Sequence, residues 1–305
     1  MTWGYSFSEA YAALKFSRSR TLFTVTSLAL VPGNPATLFA ATGGGGLLTS
    51  TDGGGSWAVV DKSLADTYVS SVIVDPTNSS TLYAGTDHPY DGTHSERLYK
   101  STNGGVTWLQ TSLDAQGNSV DIIAVHPVNP STVYAASHGT GGLFQSLDGG
   151  TTWTTLTTDS ACGGVNAILF NASGSTMYLA GTTGVCRSTD GAQTWTLSPV
   201  ANLASVQALC FDPLDPSILY AGALPLTATG TGGVFASFDG GMTWSAFGSG
   251  LPASIAVTTL AVDGKTGTLY AGTQGSGVAT LLLLASRPRI DAPAQTHKTL
   301  TLPQR

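Results

Sequence analysis

The chain has little charge. Its 12 Lys and Arg and 18 Asp and Glu make up 10% of 305 residues, against about 25% in an ordinary soluble domain. Three of the seven arginines, Arg287, Arg289 and Arg305, fall in the last 20 residues, so no basic surface can be assembled in the body of the chain. The net charge of −6 and a pI near 5.1 also have the wrong sign for a phosphate backbone. No nucleic-acid partner is expected.

Long apolar runs are missing too. A membrane-spanning helix needs about 18 or more apolar residues, and Val278–Leu284 is only strand-length. No membrane insertion is expected. The N-terminus lacks the basic start, apolar stretch and small-residue cleavage site of a secretion signal. Either the chain is cytoplasmic or Met1 is not the start of a longer secreted protein. Low charge and abundant Thr, Ser and Gly favour the second, with an extracellular or periplasmic location. Cysteine is scarce: Cys162, Cys186 and Cys210 form neither a CxxC pair nor a metal-ligand spacing. They read as small buried hydrophobes, with one disulfide and a leftover thiol as the alternative in an oxidising compartment. No metal and no cofactor are expected.

What is abundant is glycine, 38 residues, and a repeat. Ser50-Thr-Asp-Gly-Gly-Gly-Ser-Trp57 returns as Ser101-Thr-Asn-Gly-Gly-Val-Thr-Trp108, Ser146-Leu-Asp-Gly-Gly-Thr-Thr-Trp153, Ser188-Thr-Asp-Gly-Ala-Gln-Thr-Trp195 and Ser237-Phe-Asp-Gly-Gly-Met-Thr-Trp244. The tryptophans are 51, 45, 42 and 49 residues apart. A second motif, Leu-Tyr-Ala-Gly in its fullest form (Leu82–Gly85), precedes each box and occurs six times, the last time without a box. Before it lies an apolar run ending in a turn, as in Val69-Ser-Ser-Val-Ile-Val-Asp-Pro76.

Each unit therefore reads as four short antiparallel strands, rich in Val, Ile, Leu, Tyr and Thr and bounded by Gly, Pro, Asn or Asp. Such units at a period of about 40–50 residues are propeller blades. The Asp-Gly-Gly step suits a hairpin: Gly adopts positive φ freely, and the carboxylate accepts from amides of its own turn. Asp52, Asn103, Asp148, Asp190 and Asp239, with Trp57, Trp108, Trp153, Trp195 and Trp244, are thus expected to serve folding.

These boxes resemble the Asp-box (bacterial neuraminidase) repeats of sialidase-like, xyloglucanase-like, sortilin-like and photosystem-assembly-factor propellers, over about residues 25–285. The resemblance implies an all-β chain in a single propeller, and it implies no one function, since such folds serve enzymes and binding proteins alike. The sixth unit has no box, and Met1-Thr-Trp-Gly-Tyr-Ser6 resembles the opening of a fourth strand. The expectation is six four-stranded blades, the ring closed by that N-terminal strand, with part of a seven- or eight-bladed propeller as the alternative. Residues 286–305 read as a tail or linker following a propeller of residues 1–285.

Antiparallel order places the boxes on one face and the longer, irregular loops on the other. The loop Asp87-His-Pro-Tyr-Asp-Gly-Thr-His-Ser-Glu-Arg97 gathers Asp87, His88, Tyr90, Asp91, His94, Glu96 and Arg97 into 11 residues. His138 belongs to the same face. The residue after the first Val of each innermost strand is polar in every unit: Thr26, Ser70, Asp121, Asn166, Gln207 and Thr258. This ring is expected to floor a ligand pocket.

Two functions follow. The first is a non-catalytic binding propeller for a glycan or protein ligand, as one module of a larger secreted or surface protein. The second is a glycoside hydrolase, in which Asp121 would pair with Asp87, Asp91 or Glu96 across the scissile bond. Resembling xyloglucanases are much longer, two propellers clasping the glycan. Sialidases of this fold hold their substrate with three arginines, one in a Phe/Tyr-Arg-Ile-Pro motif that is missing here. The arginine patch implied by the photosystem-assembly relatives is missing too.

Overall fold

The computed structural model describes residues 4–6, 24–61, 64, 68–87, 97–115, 119–138, 142–156, 162–198, 200, 205–225, 232–248, 251–252 and 255–283. The expected tail, 286–305, lies outside them.

The described strands form six separate four-stranded antiparallel sheets, the blades of a β-propeller. Blade two is representative: Val69–Val74 is innermost, followed outward by Leu82–Thr86, Leu98–Ser101 and Leu109–Gln110. The other inner strands are Thr24–Val31, Ile122–Val125, Val165–Phe170, Val206–Phe211 and Val257–Asp263. Blade six takes its outer strand from the N-terminus. Gly4–Ser6 runs antiparallel to Gly277–Leu282, with Gly4 opposite Thr280 and Ser6 opposite Val278. In the boxed blades the outer strands are only two or three residues long, which leaves little unpaired edge for another chain to extend.

Apolar residues alternate along the strands, so each blade has two faces to bury, and it buries them against its neighbours. Five clusters of buried side chains lie between consecutive blades. Between blades two and three, for example, Tyr83, Leu98, Val120, Ile123, Val133 and Phe144 pack together. At the junction of blades six and one the described faces are open: Leu28, Leu30 and Leu282 are more than half exposed.

The Leu-Tyr-Ala-Gly motif belongs to these junctions. Tyr83 Oη donates to the Gly149 carbonyl in the next blade's box at 2.9 Å, and Tyr178 Oη does the same to Gly240 at 3.0 Å. Gly85 closes the motif because nothing larger fits: a Cβ there would lie 2.0 Å from the Val120 carbonyl oxygen.

Two cysteines depart from the buried-hydrophobe expectation. Cys162, just before the inner strand of blade four, is disulfide-bonded to Cys186 in the third strand of the same blade. Only Cys210 is free, and burial above all, with the Asp212 charge second, pushes its thiol up to about 12.

Candidate functional site

The Asp-box hairpins and the variable loops lie at opposite ends of the strands. In blade three, Asp148 follows Ser146, which pairs with Val133, whereas Asp121 precedes Ile122, which pairs with Ala136 at the other end. By the same register Asp87 and Arg97 flank the end of blade two that lies away from Asn103. His88, Tyr90, Asp91, His94 and Glu96 lie outside the described residues.

On the box face the polar atoms are consumed by their own turns. Ser50 Oγ donates to Asp52 Oδ1 at 2.7 Å and accepts from the Gly54 amide. Asp52 in turn accepts from the Ser56 amide on Oδ1 and from the Ser56 hydroxyl on Oδ2, at 2.8 and 2.6 Å. Asp148, Asp190 and Asp239 repeat this pattern with Thr152, Thr194 and Thr243. Asn103 substitutes for the carboxylate by reversing one bond: its Nδ2 donates to Thr107 Oγ1 at 2.8 Å. Hydrogen bonds from the box hydroxyls Ser56, Thr152 and Thr194 are the largest cause holding Asp52, Asp148 and Asp190 down to about 2. Trp57, Trp108 and Trp153 each donate the indole N–H to a carbonyl of their own turn. The Trp195 and Trp244 indole N–H groups are buried without such a bond. In Trp195's box the left-handed position held by Gly elsewhere is taken by Ala192, at φ 71°.

The ring at the other end has a structural basis that the sequence did not reveal. Thr26, Ser70, Asn166, Gln207 and Thr258 are each the extra residue of a β-bulge, skipped by the register between inner and second strand. A bulge breaks the ladder and re-aims its side chain. Three of these side chains latch onto the next blade: Thr26 Oγ1 donates to Val69 O at 2.7 Å, Ser70 Oγ to Val120 O at 2.6 Å, and Asn166 Nδ2 to Val206 O at 2.8 Å. Gln207 Nε2 donates to Ser205 Oγ, and Thr258 Oγ1 to Gly272 O. The donors of the ring are therefore largely spent on neighbouring strands.

Asp121 differs. It precedes a strand with no register shift, and it is the one carboxylate among the six ring positions. Its Oδ2 accepts from Ser119 Oγ and, at 3.0 Å, from the His138 backbone amide. Ser119 is itself held through its carbonyl, which accepts from Ser137 Oγ. Among the described residues Oδ1 has no donor. One oxygen is thus anchored by two donors, and the other is left as an oriented acceptor. The exposed residue His138 sits beside it, bridged through its backbone to Val165 of blade four.

Comparison with known proteins is consistent with this architecture. The family model described as Sortilin, neurotensin receptor 3 matches residues 45–162. A xyloglucanase of Hypocrea jecorina (strain QM6a) is 27% identical over 150 residues, which is 43% of this chain and 17% of that protein. Among solved structures, the GH74 enzyme of Niastella koreensis superposes with a TM-score of 0.66 at 24% identity, over 84% of this chain and 44% of that one. YCF48 from Cyanidioschyzon merolae superposes with a TM-score of 0.54 at 14% identity, over 86% of this chain and 96% of that one. A further YCF48 structure, TM-score 0.53 at 14% identity, holds a D1 peptide. The chain spans less than a fifth of the xyloglucanase and less than half of the Niastella enzyme. With the five boxes, these likenesses support a β-propeller similar to the sialidase- and sortilin-like ones.

Proposed function

We propose that this propeller is a non-catalytic ligand-binding module, working in an oxidising compartment, whose binding face is the one that carries Asp121. The observation behind this is the asymmetry between carboxylates. In the boxes Asp52, Asp148, Asp190 and Asp239 each accept on both oxygens from their own hairpin, whereas Asp121 is fixed through Oδ2 and presents Oδ1. Such an acceptor, held without conformational freedom, suits the hydroxyls of a glycan or the amides and cations of a protein ligand. Asp87, Arg97 and His138 share that face and would supply the polar rim. The Cys162–Cys186 bridge favours a secreted or surface location, because such bonds persist where thiols are not kept reduced.

A glycoside hydrolase is the second reading, favoured by the likeness to the Hypocrea xyloglucanase. It requires a second carboxylate some 5–10 Å from Asp121, to come from Asp87, Asp91 or Glu96. The xyloglucanase's activity belongs to a protein several times longer than the stretch matched here.

Glycan-array and peptide-array binding, with a hydrolysis screen on the same glycans, separates the two for wild type and Asp121→Ala. Binding without turnover that weakens on substitution supports the module. Turnover abolished by Asp121→Ala supports the hydrolase. Binding that Asp121→Ala leaves untouched removes Asp121 from either role.

A further inference from the structure

The face that carries Asp121 is chemically lopsided. Asp87, Arg97, Asp121 and His138 belong to blades two and three, while between blades five and six the face opens into a cavity of about 480 Å³ without one charged lining residue among those described. The walls are Leu224 and Pro225, Pro252 and Ile255, and Ala256, with Gln274 and Ser276 as the polar members.

The walls are fixed by backbone bonds. The Leu224 amide donates to Ser205 O, the Ile255 amide to Pro252 O, and the Gln274 amide to Ala256 O, each at 2.9–3.0 Å. Gly232 is wedged against the same wall: a Cβ there would lie 2.2 Å from the Ile255 carbonyl oxygen and 2.9 Å from Pro225 Cδ. The hollow is therefore built into the packing between two blades. Its volume falls in the range of small-ligand sites, about 300–1,000 Å³.

We infer that this cavity receives an uncharged aliphatic or prolyl side chain of a peptide segment, and that Gln274 pairs with the adjoining peptide bond. Three features select a peptide. Leu224, Pro225, Pro252, Ile255 and Ala256 offer aliphatic surface beside the polar Gln274 and Ser276, and the described lining holds no counter-charge for a charged group. The described lining holds no aromatic ring on which a sugar could stack. The Gln274 side-chain amide carries a donor and an acceptor together, as a peptide bond does, and makes no hydrogen bond within the described chain.

This inference rests on the reading that the Asp121 face binds ligand, and the test keeps the two apart. Acetylated and amidated hexapeptides with Leu, Ile, Val or Pro at the centre are arrayed beside the same peptides with Asp, Lys or Gly there, and beside neutral glycans. The probed proteins are wild type, Ala256→Trp to fill the cavity, the surface change Gln274→Leu, and Asp121→Ala. Aliphatic-centred peptides bind wild type, lose at least tenfold in affinity on Ala256→Trp, and lose several-fold on Gln274→Leu. Indifference to the central residue overturns the inference, as does binding unchanged by both cavity variants, or glycan binding that Ala256→Trp removes. If ligands depend on Asp121 but ignore the cavity variants, the inference fails and the binding-face reading stands. A wild type that binds neither array sinks both. Thermal melts show whether Ala256→Trp folds, and Gln274→Leu carries the test if it does not.

Discussion

Replacing Gly85 by Ala probes the junction that sets Asp121 in place. In an ordinary strand the change is favourable by roughly 0.5–1 kcal/mol, because alanine has less chain entropy to lose. Positive φ is no obstacle here, since Gly85 is not among the left-handed residues. The obstacle is space. The new methyl would lie 2.0 Å from Val120 O and 2.8 Å from Ser71 Oγ, and the first of these is backbone. Relief requires more than 1 Å of relative movement between blades two and three, at the upper end of the ~1–3 kcal/mol that overpacking usually costs. Val120 O also accepts from Ser70 Oγ at 2.6 Å and from Ser71 Oγ at 3.2 Å, and weakening one of these bonds adds about 1 kcal/mol. The net loss is about 3 kcal/mol. For a chain of 305 residues this corresponds to a Tm about 5 °C lower, readable by far-ultraviolet circular dichroism. Because Val120 precedes Asp121, ligand binding on that face should weaken as well. Blades one and four already carry Ala41 and Ala180 at the matching register position, so the effect tests this junction and not the motif. A Tm equal to or above wild type would refute the steric argument.

Tyr178→Phe strips the Gly240 carbonyl of the hydroxyl that reaches it and should cost about 1–2 kcal/mol in urea unfolding. Tyr83→Phe should cost about half as much, because Lys100 Nζ still donates to Gly149 O at 2.7 Å; equal losses would contradict the assignment. The aspartates held near 2 in the boxes make a pH prediction. Their folded pKa is depressed, so the stability they contribute is present above about pH 4 and disappears as pH falls towards 2. Melting temperature should be flat from pH 7 to about 4 and then drop. Asp148→Asn, which copies the natural Asn103 box, should keep the neutral Tm while shrinking the acid loss. Reduction, or Cys162→Ser with Cys186→Ser, opens a loop whose ends are 24 residues apart and should cost about 3 kcal/mol, a fall of about 5 °C. Cys210, with its thiol at about 12, should resist iodoacetamide at about pH 8 until the protein unfolds.

The blades were legible because their signals are local. A box of eight residues closes its own hairpin through bonds that span four positions at most, as Ser50, Asp52 and Ser56 show. Its spacing therefore counts the blades without knowledge of tertiary contacts. The fourth strand of blade six was legible for a related reason: a box-less last unit leaves an unpaired edge, and Gly4–Ser6 fills it. What the blades do to one another was not legible. Nothing near Tyr83 in the sequence names Gly149, 66 residues away, and nothing near Gly85 names Val120. The polar ring shows the limit most clearly. Its recurrence after the first Val is visible in the sequence, and it suggested a pocket floor. The register shift that makes five of its members bulge residues depends on the neighbouring strand, and so does the commitment of Thr26, Ser70 and Asn166 to the next blade. Half of the ring is a set of latches, and that sharpens the reading of Asp121. Where blades one, two and four place a donor to the next blade, blade three has a carboxylate that can only accept. Ser119 and the His138 amide hold it, and the latch at that junction is replaced by the backbone bridge between His138 and Val165. Asp121 is the one ring member whose carboxylate is anchored on one oxygen from two sides, and it leaves the other oxygen without a donor among the described residues.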